Sequence, residues 1–156
     1  MIHKTNAIRI LEKENIPHSI HVYDVDESDL SGITVARKIG AEPESVFKTL
    51  VTHGDKTGIN IFCIPVTEEL NLKKAAAVSD NKKVEMIKEK ELFLLTGYVK
   101  WGCSPIGMKK KYPTYIDETA ELFDEIYVSA GVRGIQVKLK IADLIKVTDA
   151  DIVDLI

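Results

Sequence analysis

The sequence predicts a mixed α/β fold: a mostly antiparallel or mixed central sheet flanked by helices, held as one domain over residues 1–156. Three observations carry this. Strand-like runs rich in β-branched and aromatic residues crowd the middle of the chain. Glycine-containing turns short enough for hairpins join some of them. Segments with helical spacing and cap residues lie around them. The length of 156 residues suffices for one sizeable core.

In order, Thr5 or Asn6 can cap a first helix with Ala7, Ile8 and Leu11 on one face, and Pro17 stops it. His18 to Tyr23 alternates as a strand, with Ile20 and Val22 on one face and His21 and Tyr23 on the other. The acidic stretch from Asp24 to Asp29 reads as a solvated loop. Ser31 begins a second helix, Val35, Ala36 and Ile39 face inward, and Gly40 ends it. Pro43 opens a short turn or helix. Val46 to Thr52 and Ile59 to Val66 are strands joined across Gly54-Asp55-Lys56-Thr57-Gly58. The second is apolar on both faces for part of its length, which suits a central position covered on both sides. Thr67 can cap a helix running through Leu70 and Leu72 to Val78. A short strand or turn is expected at 82–86, and short strands at 114–117, at 126–129 and at 135–139, the last with Ile135, Val137 and Leu139 on one face. A short helix at 89–95, a terminal helix at 141–147 and an apolar tail at 152–156 complete the chain.

A net charge of −3 argues against gripping nucleic acid over a long basic surface, because such binding rests on many phosphate contacts; a small local basic site remains open. Two cysteines, Cys63 and Cys103, fall short of a disulfide framework or a four-thiolate zinc site. His18 and His21 are three apart in a strand and point to opposite faces, so no metal is expected. The opening Met1-Ile2-His3-Lys4-Thr5-Asn6 has no apolar leader core, and no run is long enough to span a bilayer. A cytoplasmic protein is expected, without cofactor.

The stretch Gly97 to Gly107 stands out, with three glycines, Ser104 and Pro105 within eleven residues. Such a loop can turn its N–H groups toward an anion or a developing oxyanion, or it can be only a long turn. Lys109, Lys110 and Lys111 follow it. Lys48, flanked by apolar residues in a strand, must extend to water, pair, or serve a site. Thr49 beside it falls on the opposite strand face, so the two share a site only where the strand bends or forms a rim. Ser129 closes a strand and enters a second glycine turn, Gly131 to Gly134, where capping is the ordinary duty of a serine. Cys103 is a candidate nucleophile by residue type, but none of the four histidines can be placed beside it, and a structural loop cysteine is the alternative.

Four of these segments, in this order, resemble one family. They are Val46-Phe47-Lys48-Thr49-Leu50, the Gly102-Cys103-Ser104-Pro105-Ile106-Gly107 loop with its lysines, Pro113-Thr114 through Ile116-Asp117, and Ile126-Tyr127-Val128-Ser129-Ala130-Gly131 through Arg133-Gly134. Together they look like the YbaK/EbsC family of Cys-tRNA(Pro) deacylases, free-standing relatives of the editing domain of bacterial prolyl-tRNA synthetases. The resemblance covers nearly the whole chain. It implies a barrel-like central sheet and hydrolysis of the ester that joins a misplaced cysteine to tRNA(Pro). It implies Lys48 as the catalytic residue, with Tyr23, Thr49, the loop Gly102, Cys103, Ser104, Pro105, Ile106 and Gly107, and Ser129 and Gly131 around the substrate. It further implies that the substrate's own thiol attacks the ester, and that a synthetase presents the acceptor end of the tRNA. One departure stands out: the family pattern opens the loop with two glycines, and here the first position is Trp101. The other readings are a deacylase for another aminoacyl-tRNA such as Ala-tRNA(Pro), and a noncatalytic binding module of the same fold.

Overall fold

The computed structural model describes residues 4–156, so Met1-Ile2-His3 of the opening stretch lies outside the described residues. Thr5 accepts the Ile8 N–H and starts α1 (Asn6–Lys13), whose Ala7, Ile8 and Leu11 are buried. β1 (His18–Val22) follows, ending one residue before Tyr23. α2 (Gly32–Lys38) is capped by Ser31, and a 3₁₀ turn at Pro43–Ser45 delivers the chain to β2 (Phe47–Gly54). β2 and β3 (Gly58–Pro65) form the expected hairpin, with Gly54 opposite Gly58. Next come α3 (Leu72–Val78), β4 (Val84–Met86), α4 (Glu89–Thr96), β5 (Thr114–Asp117), β6 (Glu125–Ser129), β7 (Ile135–Lys140), α5 (Ile141–Thr148) and β8 (Asp151–Val153).

The strands form two sheets, a three-stranded one in the order β1-β7-β6 and a five-stranded one in the order β4-β2-β3-β5-β8. The first is antiparallel throughout; in the second, β3-β5 and β5-β8 run parallel, so the sheet is mixed. The barrel-like sheet implied by the resemblance is here two sheets with no closed barrel. They meet at one isolated bridge, Val46 to Tyr127. β3 is central, and its alternation explains why it is apolar on both faces. Ile61 and Cys63 join the large core between α1 and both sheets, whereas Phe62 and Ile64 join a second core with Ala75, Ala76 and Leu155.

Some boundaries differ from those read in the sequence. α3 is capped by Asn71, not Thr67: Asn71 Oδ1 accepts the Lys73 and Lys74 N–H groups, while its own N–H donates to Leu155 O. The long-range bond to the tail fixes where the helix begins. The tail itself adds a strand, β8, and its next turn is pinned by the fully buried Asp117, whose Oδ1 accepts the Leu155 N–H at 2.8 Å. Among the described residues, no helix is long and apolar enough to cross a membrane.

Candidate active site

β4 pairs only with Thr52 to Gly54, and the bridge to the other sheet touches only Val46. Between these points β2 is paired with β3 on one side, and on the other, among the described residues, no strand is laddered to it, although β6 passes nearby and the Ile87 N–H donates to Val51 O. A cavity of about 410 Å³ opens along this free edge. All five residues from Phe47 to Val51 line it. Alternation puts Lys48 and Leu50 on one face and Phe47, Thr49 and Val51 on the other, so the strand forms a rim of the cavity. That is the arrangement in which Lys48 and Thr49 can serve one site.

Lys48 is half-buried, and among the described residues it has no ion-pair or hydrogen-bond partner. Burial lowers its pKa below the ordinary lysine value, and the charge of Glu69 partly opposes this. Thr49 Oγ1 lies 4.0 Å from the Cys63 sulfur across the hairpin. On the facing sheet, Ser129 and Gln136 are opposite one another in the β6-β7 pair, and both line the cavity. Ser129 is 8% exposed, and its Oγ accepts the Gly131 N–H at 3.2 Å, which leaves the hydroxyl proton to be donated. Gln136 is 6% exposed, and its Oε1 is buried without any partner. An unpaired buried carbonyl oxygen is costly, so a donor brought by a ligand would be stabilised there.

Gln136 is not foreseen by the sequence. Alternation makes it an outward polar position between Ile135 and Val137. The signal lay in the register: across a hairpin, it falls opposite Ser129.

The glycine loop divides. Trp101 and Cys103 line the cavity; Ser104, Pro105, Ile106 and Gly107 do not. Ser104 and Ile106 are fully buried, and the Ile106 N–H donates to Ser104 Oγ at 3.2 Å. Asn6 of α1 donates to Gly107 O at 2.8 Å, and the Tyr98 hydroxyl donates to Ile106 O at 2.6 Å. A side chain at Gly107 would meet Asn6 at 2.8 Å. This half of the loop is therefore an anchor against α1. Gly102 packs backbone to backbone on the second turn, where a Cβ would come within 3.0 Å of Arg133 N. Gly131 has φ +101°, and a Cβ there would lie 2.7 Å from the Tyr98 ring.

Tyr23 stands apart from the cavity. Its N–H donates to Gly134 O, and with Val22, Asp24 and Lys38 it lines a separate shallow hollow. Burial pushes the Cys103 thiol up to about 12. None of His18, His21 and His53 lines the cavity, so among the described residues no thiol–imidazole or hydroxyl–imidazole pair forms there. Among the described residues, no group of three or more His, Cys, Asp or Glu side chains is gathered as a metal ion requires.

A family model for the aminoacyl-tRNA editing domain matches residues 31–147. The chain is similar to a candidate Cys-tRNA(Pro)/Cys-tRNA(Cys) deacylase, EbsC, of Enterococcus faecalis, with 45% identity over 152 residues that cover 97% of this chain and 93% of the relative. Among solved structures, it superposes on a candidate trans-editing enzyme for prolyl-tRNA synthetase with a TM-score of 0.83 at 24% identity, covering 99% and 98% of the two chains. A hypothetical protein of known structure gives a TM-score of 0.87 at 16% identity, covering 97% and 99%. Likeness at these identities concerns the fold alone.

Proposed function

The chain belongs to the aminoacyl-tRNA editing domain family, and from that premise we propose that it hydrolyses the ester of mischarged Cys-tRNA(Pro) in the cytoplasm, on an acceptor end that a prolyl-tRNA synthetase presents. The observation that carries this is the cavity on the free edge of β2. There a half-buried ammonium without a partner among the described residues shares the lining with a buried hydroxyl and an unpartnered carbonyl oxygen, and none of His18, His21 and His53 joins them. An aminoacyl ester is already activated, so positioning and stabilisation of developing negative charge suffice.

Lys48 holds the phosphate or ribose of the terminal nucleotide and fixes the ester. The Gln136 Oε1 accepts a hydrogen from the aminoacyl ammonium, and Ser129 donates to an ester oxygen. Cys103 is the loop position that lines the cavity with its backbone N–H left to serve the carbonyl; the Gly102 N–H is already bound to Val99 O and the Ile106 N–H to Ser104 Oγ, so Gly102 contributes by letting the two turns approach closely. The substrate thiol attacks its own carbonyl carbon. The C–O bond to the ribose breaks, the ribose oxygen takes the thiol proton, and the cyclic thioester is opened by water. Tyr23, which lines a separate hollow, engages the tRNA outside the cavity.

The test is release of cysteine and of alanine from mischarged tRNA(Pro), with wild type and Lys48→Ala side by side. Cysteine release that falls by 100-fold or more (about 3 kcal/mol) in a folded Lys48→Ala variant supports the reading. Alanine release in place of cysteine makes the chain a sister deacylase. No release of either leaves a binding module.

A further inference from the structure

Four non-glycine residues among those described have a positive φ: Asn15, Asp80, Trp101 and Asp149. Asn and Asp tolerate the left-handed region because their short polar side chains bond locally; a tryptophan has no such compensation. Trp101, at φ +67°, occupies the third position of a turn closed by the Gly102 N–H to Val99 O at 3.0 Å, where glycine is the usual solution. The turn is clamped from outside by Arg133, whose Nε donates to Lys100 O at 3.0 Å, and by the backbone contact under Gly102. A strained residue held this firmly is retained for its side chain.

Packing does not account for that side chain. Trp101 remains 41% exposed while it lines the cavity that holds Lys48, Ser129 and Gln136. The Lys100 ammonium stands over the indole, 5.6 Å from the ring centroid. A flat aromatic surface with a cation beside it, at the mouth of a cavity whose buried end is polar, matches a nucleobase followed by its phosphate. A thiol or a methyl group offers too little area to use an indole face. Resting on the function proposed above, we infer that Trp101 is the stacking platform for the terminal purine of the acceptor end, and that the aminoacyl group passes beyond it to Ser129 and Gln136.

Trp101 is the single tryptophan of the chain, so its fluorescence reports on the contact directly. The full chain is titrated with an uncharged acceptor-stem microhelix ending in CCA, and with the same microhelix ending in CC. The expected result is saturable quenching by the first and not by the second. In anisotropy measurements with a labelled CCA microhelix, Trp101→Phe should retain binding, and Trp101→Ala and Trp101→Gly should each lose about 5- to 150-fold. The glycine variant should also melt about 2–4 °C above the alanine variant, because it alone relieves the backbone. Equal quenching by both microhelices, or wild-type affinity in Trp101→Ala, overturns the platform; a glycine variant melting no higher than alanine removes the strain argument beneath it. Uncharged RNA makes the result independent of deacylation. Quenching without ester hydrolysis would sink the proposed reaction and leave the platform standing, and hydrolysis without CCA-specific quenching would do the reverse.

Discussion

Cys103 and Lys48 line the same cavity, and desolvation acts on them in opposite ways. Burial favours the neutral form of each, so it pushes the Cys103 thiol up to about 12 and pulls the Lys48 ammonium down from its ordinary value. At pH 7, a thiol of that pKa is ionised in about one molecule in 10⁵. It is a poor nucleophile, and among the described residues no histidine lines the cavity to activate it. Cys103→Ser should therefore keep cysteine release within about threefold, below 1 kcal/mol in activation free energy; a loss beyond 100-fold in initial rates would make the enzyme thiol the attacking group. For Lys48, the native pKa lies below the unfolded value of about 10.5, so the charged side chain costs native stability at neutral pH. That cost is relieved as pH rises from the folded pKa toward the unfolded one. A lysine kept charged and unpaired at such a cost is better explained by a ligand than by the fold, which is why Lys48→Ala is expected to be inactive without being unfolded.

Within the elements, the β2–β3 hairpin is tied at its tip by one residue of a distant segment. Asn81 Oδ1 accepts the Lys56 and Thr57 N–H groups at 2.8 and 2.9 Å, and its Nδ2 donates to Thr57 Oγ1 at 2.8 Å. Gly54 has no side chain because a Cβ would sit 2.3 Å from that amide. Asn81→Ala should cost about 1–3 kcal/mol, seen as a Tm lower by about 2–4 °C for each kcal/mol. Deacylation at 25 °C should be unaffected, since Lys48 lies at the other end of β2, roughly 20 Å away; an unchanged Tm would mean that water replaces the amide. The hairpin itself was legible, as were the two-sided burial of β3 and the inward face of α1, because each is written in local periodicity and turn chemistry. Lys48, Thr49 and Ser129 were legible as candidates for the same reason: polar groups at conspicuous points of apolar strands. The rest depends on partners remote in sequence. Nothing near Asn71 says that Leu155 will meet it, nothing in the apolar tail at 152–156 says that it will pair parallel with β5, and nothing in the alternation of β7 says that Gln136 will face a cavity. The placement of Ser104 to Gly107 against α1 was hidden likewise, because a glycine loop reads the same whether its backbone serves a ligand or a neighbouring helix.

Across the whole molecule, the charge decides how RNA is held. The net charge is −3, and the cations around the cavity are few. Lys48 and Lys100 line it; Lys100 lies 3.9 Å from Glu89, and Lys111 is paired with Asp149. Lys109 stands over Phe93, 5.1 Å from the ring centroid. Each phosphate neutralised contributes roughly 0.7–0.9 to the slope of log K against log salt. Two or three contacts at the cavity mouth then give a slope of about −1.4 to −2.7, too shallow for a self-sufficient tRNA grip at physiological ionic strength. The expected outcome of a salt titration with uncharged tRNA(Pro) is weak binding with that shallow slope. Adding the prolyl-tRNA synthetase should raise the rate of cysteine release at low tRNA concentration, because the partner supplies the phosphate contacts that this surface lacks. A slope near −6, or a complex that survives 0.5 M salt without the synthetase (a Debye length of about 4–5 Å), would show a basic surface that engages the tRNA body alone, and presentation by a partner would then be unnecessary.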